Sequence, residues 1–280
     1  MSLKSVSTIG VFDSGFGGLT VLRALVNRLP RARFAFLGDT ARLPYGSKSR
    51  RTIARYAAQS AEFLVREQGA EFLVIACNTA SALALDAIQD AVPVPVLGVI
   101  EPGAAAAHTA SKTGDVLVIA TDATVQSHAY AAACRARGMR ALEKACPLLV
   151  PLVEEGWTRH PVTAEVIRIY LDELLTAAAG ENLHPDALVL GCTHYPLLRP
   201  LIEQAIARGA RAGMQVIDSA ESTAERAVQL FNGHAEPPAP GELAAEIRCF
   251  ATDSVDKFER LGSRFLGRPV GRVELIDLGG

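Results

Sequence analysis

Two apolar runs in this chain end in the same way. Phe72-Leu-Val-Ile-Ala leads into Cys77-Asn78-Thr79, and Ala187-Leu-Val-Leu-Gly leads into Cys192-Thr193-His194. A short, continuous apolar run reads as a strand buried on both faces, as in parallel sheets covered by helices. The recurrence points to a duplicated plan in which each half brings a cysteine and two hydrogen-bonding residues to the carboxyl end of a buried strand. A second pair of runs agrees: Ile9–Phe12 ends in Asp13-Ser14, and Val116–Ala120 ends in Thr121-Asp122.

The remaining periodicity fits this plan. Strands are expected near Arg33–Leu37, Val94–Val99, Met214–Ile217 and Arg248–Ala251 as well. Amphipathic or Ala-rich stretches at Leu19–Arg28, Ser49–Glu67, Ser81–Asp90, Val125–Arg137, Thr163–Ala178, Leu197–Ala207 and Glu221–Leu230 predict crossover helices. The expected fold class is α/β, with two similar doubly wound lobes and mainly parallel sheets. The first lobe is expected to be residues 1–99 plus 213–280 and the second 100–212, the middle being an insertion. The Pro/Gly-rich stretch Ala235–Gly241 is expected to be an exposed connection. Ligands bind outside the carboxyl ends of such strands, which predicts an active-site cleft between the lobes.

Composition narrows the function. A formal net charge of -2 and no Lys/Arg run argue against a nucleic-acid partner. No window approaches the roughly 18 apolar residues needed to span a bilayer, so no membrane association is expected. The five cysteines are odd in number and widely spaced, without a C-x-x-C pair. A disulfide framework or metal site is therefore not expected, and free thiols point to the reducing cytoplasm.

A single buried cysteine usually serves as a small hydrophobe, and Cys134, Cys146 and Cys249 are read that way. Cys77 and Cys192 differ because each matches the other and is followed by polar residues. A thiol pKa can be brought towards neutrality by a donor, a cation or a helix N-terminus. Two such thiols flanking a planar carbanion could take a proton from one face and return one to the other, inverting a stereocentre without a cofactor. Helices starting at Thr79 and Pro196 would favour the anionic groups. His194 and Asp13 could each orient a thiol or shuttle its proton, or be a structural histidine and a cap.

Asp13-Ser-Gly-Phe-Gly-Gly18, with Asp39 closing the next strand, partly resembles a dinucleotide fingerprint. Thr20 stands at its last position, and a backbone nest for a carboxylate suits the glycines better. Pro44-Tyr45-Gly46 reads either as a plain turn or as a turn whose tyrosine hydroxyl donates to a bound carboxylate. Glu154 and Glu155 are open alternatives for an acid near His194.

With these residues in view, the chain resembles the glutamate racemases of the aspartate/glutamate racemase superfamily. The resemblance rests on Ile9 to Thr20, Gly38-Asp-Thr-Ala-Arg-Leu-Pro44-Tyr45-Gly46, Cys77-Asn78-Thr79-Ala-Ser, Pro147 to Gly156, and Gly191-Cys192-Thr193-His194-Tyr195-Pro196. It implies a cofactor-independent isomerase that supplies D-glutamate for peptidoglycan. Cys77 would act on D-glutamate and Cys192 on L-glutamate, with Asp13 and His194 assisting them and Glu154 supporting His194. Ser14, Pro44, Tyr45, Gly46, Asn78, Thr79, Thr121, Thr124, Thr193, Asp13 and His194 would hold the substrate, with no metal and no cofactor. A homodimer is compatible with the sequence. Rival readings are an aspartate or other amino-acid racemase, an NAD(P)-dependent oxidoreductase, an amino-acid-binding module and a dithiol redox protein.

Overall fold

The computed structural model describes residues 8–208, 213–230 and 245–279. The stretch Ala235–Gly241 lies outside them. The chain divides into two units, Met1–Val99 with Ala220–Gly280, and Ile100–Ser219. The return to the first unit comes later than residue 213 because the strand Gln215–Asp218 pairs within the second sheet.

The first unit holds strands β1 (Thr8–Asp13), β2 (Arg33–Gly38), β3 (Phe72–Ile75) and β4 (Val96–Gly98), and the second holds β5 (Asp115–Ala120), β6 (Arg140–Ala145), β7 (Ala187–Gly191) and β8 (Gln215–Asp218). Strands β9 (Ile247–Ala251) and β10 (Val273–Leu275) complete the first sheet. Among the described residues its order is β10-β9-β2-β1-β3-β4, and that of the second is β6-β5-β7-β8. All pairings are parallel. This is the α/β class expected from the alternation of apolar runs and helices.

In each sheet the chain leaves a central strand first to one side and then to the other. β1 lies between β2 and β3, and β5 lies between β6 and β7. Such a reversal opens a crevice at the strands' carboxyl ends. Asp13 closes β1 and Cys77 follows β3; Thr121 follows β5 and Cys192 follows β7. The two cysteines thus occupy equivalent places in their own sheets.

Local chemistry explains the helix starts. Ser49 Oγ accepts from Thr52 N at 3.4 Å and caps the helix Arg50–Arg66. His160 caps the helix Pro161–Gly180, whose first residue needs no amide donor. The helix Val255–Leu266 turns Phe258 inward, and its ring lies 6.4 Å from Phe16 and 5.9 Å from Phe36 in edge-on contacts. This packing makes the C-terminal segment an integral layer of the first unit.

Several elements depart from the pattern-based expectation. The stretch Ser81–Asp90 forms two helices, Asn78–Leu83 and Leu85–Ala91, broken at Ala84. Val125–Arg137 is likewise two, Asp122–Ser127 and Ala129–Arg135, separated by His128 in the left-handed region at φ 54°. Strand β6, Arg-Ala-Leu-Glu-Lys-Ala, is an edge strand of intermediate burial, so it lacks an apolar run. The helix Ile100–Ala110 contains Pro102 and Gly103, which mask its signal, although proline is tolerated in a first turn.

Candidate active site

The first unit's site forms where β1 and β3 end. Cys77 is 5% exposed and is the N-cap of the helix Asn78–Leu83, so that helix begins one residue before the expected Thr79. Its Sγ accepts from Ala80 N at 3.4 Å and lies 3.4 Å from Ser14 Oγ. Asp13 is buried beside it, one carboxylate oxygen accepting from Gly15 N at 3.1 Å. The first amide of the glycine loop therefore serves the protein's own carboxylate instead of an external one. Gly18 permits this arrangement: a Cβ there would come within 2.6 Å of Asp13 Cβ and 2.9 Å of Ala76 Cβ.

Burial, and then the charge of Asp13, push the Cys77 thiol up to about 12, against weaker help from Ser14 and the Ala80 amide. Cys77 is consequently protonated across the neutral range. Asn78 and Thr79 are buried next to it in the first turn of the helix.

The second unit's site forms where β5 and β7 end. Cys192, Thr193 and His194 are all buried. His194 Nδ1 lies 3.9 Å from Cys192 Sγ and 3.4 Å from Thr193 Oγ1, and its Nε2 lies 3.2 Å from Glu154 Oε1. Glu154 ends the helix Leu149–Glu154, whereas Glu155 is exposed, which decides between the two glutamates. Burial alone would lower the His194 pKa, but its bonds to Cys192 and Glu154 outweigh that and raise it to about 10. An imidazolium donates from both nitrogens, so His194 holds a proton within reach of the sulfur.

Pro196 does not open an α-helix. It sits in the 3₁₀ turn Tyr195–Leu198, and the α-helix begins at Arg199. Buried Tyr195 donates to Ala120 O at 3.1 Å and Cys146 O at 2.9 Å, tying the segment after Cys192 to the tips of β5 and β6. Thr121 and Thr124 Oγ1 atoms lie 2.9 Å apart at the tip of β5.

Pro44-Tyr45-Gly46 follows β2, Tyr45 to Ser47 forming a short 3₁₀ turn. The sequence left the Tyr45 hydroxyl two readings, and here it donates to Asp39 Oδ2 at 2.5 Å. Burial and the Asp39 charge hold this phenol well above the usual tyrosine range. Asp39 is fully buried and accepts also from Arg42 Nε and Thr252 Oγ1, each at 2.9 Å. That argues against the dinucleotide reading, in which an acid at the second strand's end faces a ribose hydroxyl. Asp39 and Thr252 were not legible as site-supporting residues, since their partnership spans most of the chain.

Each unit thus presents a buried cysteine beside a titratable partner, Asp13 in one and His194 in the other. A model of the Asp/Glu/Hydantoin racemase family matches residues 9–227. The chain belongs to this family. It is 53% identical over 292 residues to a glutamate racemase of Koribacter versatilis, covering 97% of this chain and 98% of that one. Among solved structures, a glutamate racemase of Bacillus anthracis, isoform RacE1, matches with a TM-score of 0.85 at 36% identity, over 97% of this chain and 98% of that one. A glutamate racemase of Francisella tularensis in complex with D-glutamate matches with a TM-score of 0.83 at 34% identity, over 97% and 98%. Racemases are isomerases, and among the described residues of this member no group of His, Cys, Asp and Glu could hold a metal ion. No helix among them is long and apolar enough to cross a membrane.

Proposed function

We propose that this protein is a glutamate racemase that interconverts L- and D-glutamate by proton transfer between two cysteines, without a cofactor, and so supplies D-glutamate for peptidoglycan. The observation that carries the mechanism is the matched placement of Cys77 and Cys192, each after the strand beside its sheet's central strand, with different partners. Asp13 stands by one and the His194–Glu154 pair by the other.

With L-glutamate, the Cα–H bond breaks and its proton passes to the Cys192 sulfur. The electron pair remains at the α-carbon, spread over the adjacent carboxylate. The Cys77 thiol, a donor in its resting form, delivers its proton to the opposite face, and the product is D-glutamate. The reverse direction begins with proton removal by Cys77, with Asp13 beside it. The α-proton is weakly acidic, so fixed charges and donors around the carbanion must lower the barrier substantially.

On this reading the amino acid is held by Ser14, Asn78, Thr79 and Thr193 near the thiols, by the Pro44-Tyr45-Gly46 turn, and more weakly by Thr121 and Thr124. The turn, committed through Tyr45 to Asp39, contributes its backbone instead of the phenol. The same reading takes the two units as the two lobes of the enzyme, the protein as cytoplasmic and its assembled form as a homodimer; five free cysteines support the reducing compartment.

The test is circular dichroism of D-glutamate and, separately, D-aspartate with purified protein and no added cofactor. Loss of the glutamate signal to zero, with aspartate unaffected, is the expected result. An unchanged glutamate signal would refute the function, and equal rates would refute the substrate.

A further inference from the structure

The parallel pairing of β2 with β9 ends at Gly38 opposite Ala251. Just beyond, the two chains stay joined through side chains. Thr252 Oγ1 donates to Asp39 Oδ1 at 2.9 Å and accepts from Ala41 N at 2.9 Å. Thr40 Oγ1 donates to Asp253 O and accepts from Asp253 N at 2.8 Å. Asp39 in turn takes the Tyr45 hydroxyl on its other oxygen and the Arg42 guanidinium on the same one as Thr252. Arg42 lies over the Tyr56 ring at 4.3 Å, and its Nη1 donates to Gln59 Oε1 at 2.6 Å, anchoring it to the helix Arg50–Arg66.

From this chain of bonds we propose that Thr252 is a positioning residue for the reaction: acting through Asp39 and Tyr45, it sets the Pro44-Tyr45-Gly46 turn in the place where that turn meets the amino acid. The inference rests on the reading that this turn contacts substrate. Its physical basis is that Asp39, wholly buried, needs its full set of donors. Removing the threonine hydroxyl leaves one carboxylate oxygen with Arg42 alone and the Ala41 amide without its acceptor. The carboxylate then shifts towards Arg42, and the Tyr45 phenol bonded to it shifts as well. A residue that touches no substrate would thereby govern how tightly substrate is bound while leaving the proton transfers at the cysteines unchanged.

The experiment compares full-length wild type, Thr252→Val and Thr252→Ser for KM and kcat with each glutamate enantiomer, with melting temperature read alongside. Valine keeps the shape and removes the hydroxyl; serine restores it. KM is expected to rise about tenfold in the valine variant for both enantiomers, with kcat within about threefold of wild type and serine returning KM close to wild type. Tyr45→Phe, which breaks the same chain at its other end, should raise KM likewise, and combining it with Thr252→Val should add little. An unchanged KM in Thr252→Val, or a fall in kcat at constant KM that follows the melting temperature, would overturn the inference. Replacing Gly46 by proline, which deletes its amide, tests the underlying reading separately: an unchanged KM there removes the turn from the substrate site, and a wild type inactive on glutamate removes the function itself.

Discussion

Glu154 Oε1 lies 3.2 Å from His194 Nε2, and the other nitrogen of the same ring lies 3.9 Å from Cys192 Sγ. This places a buried imidazolium between a carboxylate and the Cys192 sulfur, with its pKa raised to about 10. A histidine whose folded pKa exceeds its ordinary value of 6.5 contributes stability that is complete below that value and is lost as pH rises through about 10. The His194 ring resonances should therefore stay unchanged between pH 5.5 and 8.5 in an NMR titration. Glu154→Gln should bring the transition down towards neutrality; a wild-type transition near 6.5 would contradict the assignment.

Activity should follow the same partnership. His194→Asn is expected to lower kcat by about 10²–10⁴ for turnover begun from L-glutamate, with a smaller loss from D-glutamate. Asp13→Asn should show the mirror pattern. Steady-state kinetics in both directions checks this, and equal losses in the two directions for both variants would break the assignment of one partner to each thiol.

Gly18→Ala tests how Asp13 is kept beside Cys77. The added methyl would overlap Asp13 Cβ at 2.6 Å and Ala76 Cβ at 2.9 Å. Crowding of this kind costs about 1–3 kcal/mol, readable as a lower melting temperature. Turnover from D-glutamate should fall more than turnover from L-glutamate. Wild-type stability would mean that the loop yields without strain.

Alkaline pH bears on the buried thiols. Burial pushes Cys146 and Cys249 up to about 12 and Cys134 up to about 11, from an ordinary 9.0. Above pH 9 the unfolded chain loses these protons first, so stability should fall between pH 9 and 12. Urea melts across that range, compared with a Cys249→Ala variant, should show a shallower decline once a thiol is removed. An aromatic disulfide reagent at pH 8 should label Cys134, Cys146 and Cys249 slowly in the folded protein and quickly in urea.

Much of this was legible in the residues themselves. The strands that carry Cys77 and Cys192 are apolar throughout, and their abrupt polar endings marked the strand tips. The residues alone left Glu154 and Glu155 open and the resemblance favoured Glu154; a one-residue shift on a short helix decides which side chain lies against His194, and it is Glu154. The commitment of Tyr45 to Asp39 was invisible, since a turn motif does not say what its side chain meets. Strand β6 and the helix Val255–Leu266 were missed for opposite reasons. An edge strand can be polar, whereas Val255, Phe258, Leu261, Phe265 and Leu266 do carry the helical period, and only their partners Phe16 and Phe36, far away in the sequence, are invisible locally.

The central claim is that two different thiols act on the α-carbon. Incubation of each pure glutamate enantiomer in D₂O, stopped early and resolved by chiral chromatography with mass detection, examines it directly. The newly formed enantiomer should carry one deuterium and the recovered starting enantiomer none, because the proton that arrives is not the one that left. Deuterium entering the starting enantiomer as fast as the product, or product formed with its original hydrogen, would mean that a single base serves both faces.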